Sequence, residues 1–141
     1  MNMNWEDYIH HMFFILHTKP YVAPWGAAPV TLLSGAGAYN FGAFSADIIA
    51  AGAIAYDMHI ETVIIGKTTA AANYEISLVY GPTDIEIAQI SFTGIKNTSD
   101  SIPKFTEEIP AGSRIRARMR DSLGASSAEI KIGYHLHPQG F

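Results

Sequence analysis

The chain has 141 residues, room for one domain and a short appendage, and 48% hydrophobic against 16% charged residues supports a packed core. Nine basic and thirteen acidic residues give a net charge of −4, which argues against general nucleic-acid binding because phosphate backbones select basic surfaces. The absence of cysteine excludes disulfides and thiolate metal sites.

The first predicted element is an amphipathic helix within residues 1–17. Trp5, Tyr8, Ile9, Met12, Phe13 and Leu16 fall at i, i+3, i+4, i+7, i+8 and i+11, one apolar stripe of a helix. Asn4 suits the N-cap, Glu6 and Asp7 suit the positive end of the helix dipole, and Pro20 blocks continuation. Glu6 and Asp7 also stand where a secretory signal needs positive charge, and the apolar run 12–16 is far below the roughly 20 residues of a bilayer span. A helix of about four turns is marginal alone in water, so its apolar face calls for a partner surface.

Residues 18–37 follow as an extended arm rich in Pro, Gly and Ala, with Pro20, Pro24 and Pro29 around Trp25. At about 3.1 Å per residue such a segment could cover roughly 40 Å between Thr18 and Val30, either reaching a neighbour or wrapping its own domain. From residue 38 to 141 the chain reads as a β-sandwich. Expected strands are 39–49, 57–65, 74–80, 84–93, 102–108, 113–120 and 127–137, and Val30–Leu33 offers an eighth. Turn chemistry between closely spaced runs is the signature of an antiparallel sandwich, here expected to be jelly-roll-like. Tyr74, Ile76, Leu78 and Tyr80 share one face. In the next run Ile85 and Ile87 are out of phase with Ala88, Ile90 and Phe92, which predicts a β-bulge near Ile87–Ala88.

The strongest local signal is Ser113-Arg114-Ile115-Arg116-Ala117-Arg118-Met119-Arg120. Its strict alternation is that of a strand with Ile115, Ala117 and Met119 on one face and four guanidinium groups on the other. The alternating run 128–137 follows after a short turn, and the two read as a terminal hairpin. A charged face can protect an edge strand. It can also meet carboxylates of a neighbouring chain, and the choice of Arg at all four positions favours that, because the planar guanidinium pairs bidentately. The candidate interface is therefore Trp5, Tyr8, Ile9, Met12, Phe13, Leu16, Trp25, Arg114, Arg116, Arg118 and Arg120.

Catalytic signatures are absent from the sequence. There is no Gly-x-Ser-x-Gly elbow, and Gly35-Ala36-Gly37 lacks the third glycine of a dinucleotide fingerprint, position 40 being Asn. His135 and His137 project from one strand face and could share a divalent ion, with His59 and Glu61 joining if the strands are adjacent. Without thiolate or carboxylate spacing, no metal is assigned. The pairs Asp84/Glu86 and Glu107/Glu108 read as solvated faces rather than glycosidase carboxylates. The expectation is no enzyme activity and no cofactor.

The runs Tyr39-Asn40-Phe41-Gly42-Ala43-Phe44 and Ile109-Pro110-Ala111-Gly112-Ser113-Arg114-Ile115, with the terminal strand Ile-Gly-Tyr-His-Leu (132–136), resemble small β-sandwich structural proteins of tailed bacteriophages. In those proteins an Ile-Pro-Ala-Gly-Ser/Thr-Arg-Ile turn leads into the penultimate strand. The resemblance covers about residues 38–137 and carries over no functional residues. It implies a virion component of the capsid-decoration or tail- and fibre-associated type, usually oligomeric, with capsid or tail subunits as partners. A homo-oligomer is expected, with a trimer favoured because the helix has more apolar surface than one small sandwich covers. Neither nucleic acid nor membrane is an expected partner. The alternative is a carbohydrate-binding or host-adhesion module built on Tyr74, Tyr80 and Tyr134, although their phase places them with core residues.

Overall fold

A computed structural model describes residues 21–26, 28–95 and 99–137. The predicted helix, with Trp5, Tyr8, Ile9, Met12, Phe13 and Leu16, lies outside the described residues. Eight strands are β1 (Tyr21–Ala23), β2 (Val30–Leu33), β3 (Asp57–Thr68), β4 (Asn73–Tyr80), β5 (Ile85–Thr93), β6 (Asp100–Pro103), β7 (Ile115–Asp121) and β8 (Ser127–His137). They form two antiparallel sheets packed as a sandwich. One sheet runs β1-β8-β3-β6, with β2 also on β8, and the other runs β5-β4-β7. The described residues form an all-β sandwich, as their alternation implies. Within the arm-like segment 18–37, β1 and β2 both pair with the same side of β8.

Alternation decides which side chains enter the core. Ile130, Ile132 and Tyr134 of β8, Ile76 and Leu78 of β4, and Ile115, Ala117 and Met119 of β7 are all essentially solvent-free. Two bulges correct the phase where alternation breaks. In β5, Leu78 pairs with Ala88 but Val79 pairs with Glu86, so Ile87 is the extra residue at the expected position. In β3, Ile60 pairs with Tyr134 and Thr62 with Gly133, leaving Glu61 as the extra residue. The buried positions accordingly switch from Met58 and Ile60 to Val63 and Ile65.

Three sequence expectations are corrected. The 113–120 and 127–137 runs are not a hairpin: β7 pairs with β4 and β8 with β3, in opposite sheets. Alternation reports a half-buried strand but carries no information about its partner, and either sheet satisfies it. The segment 39–49 is not a strand but a strap along the free edge of β7. The amides of Tyr39, Gly42, Ser45 and Ile48 donate to the carbonyls of Asp121, Met119, Ala117 and Ile115 at 2.7–3.0 Å. Three strap residues thus match every two of β7, a contraction to roughly 2.2 Å per residue against about 3.3 Å in a strand. Gly42 is required there, since a Cβ would stand 1.8 Å from the Leu33 carbonyl oxygen. The expected strand 102–108 ends at Pro103. Beyond it only Lys104, Thr106 and Ile109 donate backbone bonds to β3, at Glu61, Ile60 and Met58.

The crossing from β7 to β8 is tied by Asp121, which is fully buried. Its carboxylate accepts from the Ser126 hydroxyl at 2.6 Å and the Gly124 amide at 2.9 Å. Ser34 joins from the β2 end, donating to the Ser126 carbonyl and accepting from the Ser126 amide. Gly124 has φ of +86° and lies against Gly37, leaving no room for a Cβ. Burial raises the Asp121 pKa, but the bonds from Ser126, Ser34 and the Gly124 and Leu123 amides together hold it below its ordinary 3.8. Its contribution to stability is therefore complete above about that pH and is lost as pH falls through the folded value. Asp121→Ala strands these donors in a dry arch and is expected to cost about 3 kcal/mol, read as a lower urea midpoint with an unchanged slope.

Candidate functional site: an arginine and phenylalanine ladder

The four arginines project from the outer face of the β5-β4-β7 sheet, opposite the core, as alternation requires. Each side chain from Arg116 to Arg120 lies over an aromatic ring supplied by the strap. The Cζ of Arg116 is 4.4 Å from the Phe44 centroid, that of Arg118 is 4.3 Å from Phe41 and 5.1 Å from Phe44, and that of Arg120 is 4.7 Å from Phe41. Guanidinium faces favour the negative face of such rings, and the stems cover apolar surface. Beneath this layer Ser77 and Val79 of β4 are buried although they face outward.

Three of the four cations have carboxylate partners within the chain. Arg116 grips Asp84 with two bonds, Nε to Oδ1 at 2.8 Å and Nη2 to Oδ2 at 2.5 Å. Arg114 reaches the same Asp84 at 3.2 Å, and Asp47 lies 4.0 Å from its Nε. Arg120 pairs with Glu75, its neighbour across the β4–β7 ladder. Asp84 sits in the β4–β5 turn at φ of +53°, a left-handed conformation that aspartate tolerates. The Arg116 hydrogen bonds hold the Asp84 carboxyl below its ordinary pKa, and reciprocally Asp84 raises that of Arg116. Arg118 has no ion pair among the described residues, and the Nε atoms of Arg114 and Arg118 are buried without a hydrogen-bond acceptor. The sequence flagged the arginines but not Phe41, Phe44, Asp47, Asp84 or Glu75 as their partners. The strap and turn residues carry no strand period, and only the tertiary fold sets them on this face.

Trp25 is elsewhere, at the β8 edge of the other sheet. It is 53% exposed and meets Tyr134 edge-on at 6.3 Å between centroids, while Tyr21 stacks on the same ring at 5.6 Å. Tyr74 and Tyr134 are core residues, in keeping with their phase.

The histidines do come together on the outer face of the β8-β3 pair. His59 is the direct cross-strand partner of His135, and its ring lies 4.5 Å from that of His137. The bulge aims Glu61 at His135, with Nδ1 and Oε2 2.5 Å apart, and Glu108 lies 3.4 Å from His137. Among the described residues no group of three or more His, Asp or Glu is arranged to hold a metal ion. Burial, then His137 and His135, lower the pKa of His59 below its ordinary 6.5, against the opposing pull of Glu61 and Glu108. The unfolded chain therefore takes up this proton at higher pH than the folded one, so stability falls as pH drops below about 6.5. His59→Gln is expected to flatten that decline, measured as the difference between urea midpoints at about pH 7.5 and about pH 5.5.

Comparison with known proteins found no matching family model and no matching curated protein. Solved structures of infectious bursal disease virus do match. Its T13 viral particle aligns at 12% identity and a TM-score of 0.41, over 84% of this chain and 31% of the viral chain. The Gx strain aligns at 13% and 0.41, over 89% and 33%, and the VP2 subviral particle at 14% and 0.39, over 86% and 33%. This chain spans about a third of the length of those viral chains.

Proposed function

We propose that this chain is a non-enzymatic structural component of a virus particle, attaching to and reinforcing or decorating a capsid or tail through oligomeric contacts. The sequence resemblance to small sandwich proteins of tailed bacteriophages motivates the virion setting, and an antiparallel two-sheet sandwich suits it. The observation that carries the attachment role is the exposed apolar edge at β1 and the residues after it. Tyr21 and Val22, each 42% exposed, lie on the three-residue edge strand β1, and Trp25, 53% exposed, follows it. That edge continues directly into a sequence bearing Trp5, Tyr8, Ile9, Met12, Phe13 and Leu16. Exposed apolar side chains of this kind are what protein interfaces use. Burial of this surface against a neighbour supplies the affinity, and arginine–carboxylate pairing sets the register. A trimer is the favoured assembly.

A second reading, a carbohydrate-binding or host-adhesion module, is favoured by one observation. Tyr21 and Trp25 flank the Tyr134 ring as partly exposed aromatic faces, the kind of platform on which a sugar ring can stack.

Deleting residues 1–20 separates the two. It spares β1 and β2, so the β-signal in circular dichroism is expected to persist. On the attachment reading, self-association by light scattering is lost. On the adhesion reading, self-association is unchanged and Trp25→Ala abolishes retention on a glycan array.

A further inference from the structure

We infer that Arg118 is the anchor for a carboxylate of a second copy of this chain. Every other arginine of the ladder has a carboxylate partner within the chain, Asp84 and Asp47 for Arg114 and Arg116 and Glu75 for Arg120, although the Nε of Arg114, like that of Arg118, is buried without a hydrogen-bond acceptor. The remaining rung, Arg118 with Ser77 and Gln89, holds no carboxylate, and Glu86 on the Arg116 rung is already engaged. Ser77, cross-strand from Arg118, donates its hydroxyl to Glu86 at 2.7 Å. Arg118 is thus a half-buried cation with no carboxylate partner among the described residues. A buried unsatisfied donor is costly and uncommon in a finished structure, and a charged one more so. An incoming carboxylate can pair with both terminal amino groups at once, in the bidentate geometry particular to arginine.

Two features prepare the group for that role. Phe41 and Phe44 both lie against the guanidinium, so little side-chain freedom remains to be lost on docking. The flanking pairs Arg116–Asp84 and Arg120–Glu75 fix the rungs on either side and surround the anchor with a polar rim. The occupant follows from charge. Each copy carries thirteen carboxylates against nine lysines and arginines, so a neighbouring copy brings surplus acid to an uncompensated cation.

The inference rests on the reading of this chain as an assembling subunit. It is tested by sedimentation equilibrium of the full chain beside Arg118→Met, Arg118→Lys and Arg116→Met. The expected result is that Arg118→Met weakens self-association about tenfold or more. Arg118→Lys, which keeps charge and ring contact but not the bidentate fork, weakens it by a smaller factor. Arg116→Met instead lowers the melting temperature of the isolated subunit. Wild-type self-association matched by both Arg118 variants overturns the anchor and leaves the assembly reading standing. A wild-type chain that stays monomeric overturns both. If Arg118→Met does not fold, Arg118→Lys decides, since an intact fold with unchanged association is equally fatal.

Discussion

A buried carboxylate governs how this chain is folded. Asp121 ends β7 on the core side, where each preceding inward residue is apolar, and it has no cationic partner among the described residues. Its charge is met instead by the Ser126 hydroxyl and by arch amides, with Ser34 bound to Ser126 from the end of β2. Such a carboxylate is stable only if the backbone around it closes tightly, and the close approach of Gly124 to Gly37 shows that it does. The consequence is topological. Because the chain turns through an arch rather than a two-residue hairpin, β7 is delivered to one sheet and β8 to the other, and the sandwich closes between them.

The arch also determines what becomes of the edge of β7. With β8 committed to β3, the far side of β7 is open, and the 39–49 strap fills it through backbone bonds. The strap carries Phe41 and Phe44 over the outward arginines, so one segment satisfies the sheet edge and builds the ladder. An exposed strand edge invites uncontrolled pairing, and here it is replaced by a charged and aromatic surface.

The opposite sheet shows how a local defect can be put to use. The extra residue at Glu61 corrects the phase of β3 so that Val63 and Ile65 enter the core. The same extra residue turns a carboxylate onto His135, within a cluster where three imidazoles share two carboxylates. Packing and electrostatics at this end are therefore coupled through one backbone irregularity, and it is here that stability becomes sensitive to mild acid.

Period-two alternation determined the strand content of β3, β4, β5, β7 and β8, the inward set from Tyr74 to Tyr80 and the bulge beside Ala88, because burial on one face of a pleated strand writes itself directly into the sequence. It also set the four arginines apart from Ile115, Ala117 and Met119. Strand partners were not legible: the arginine strand and the terminal strand alternate equally well as a hairpin or in opposing sheets. The strap was misread because its contracted three-to-two match with β7 erases any period. Only the tertiary structure decided which arginines are spoken for, since Asp84, Glu75, Phe41 and Phe44 come from a turn, another strand and a loop distant in sequence. Contacts made through space leave no local spacing to read, and that is why Arg118 stands apart only once the fold is in place.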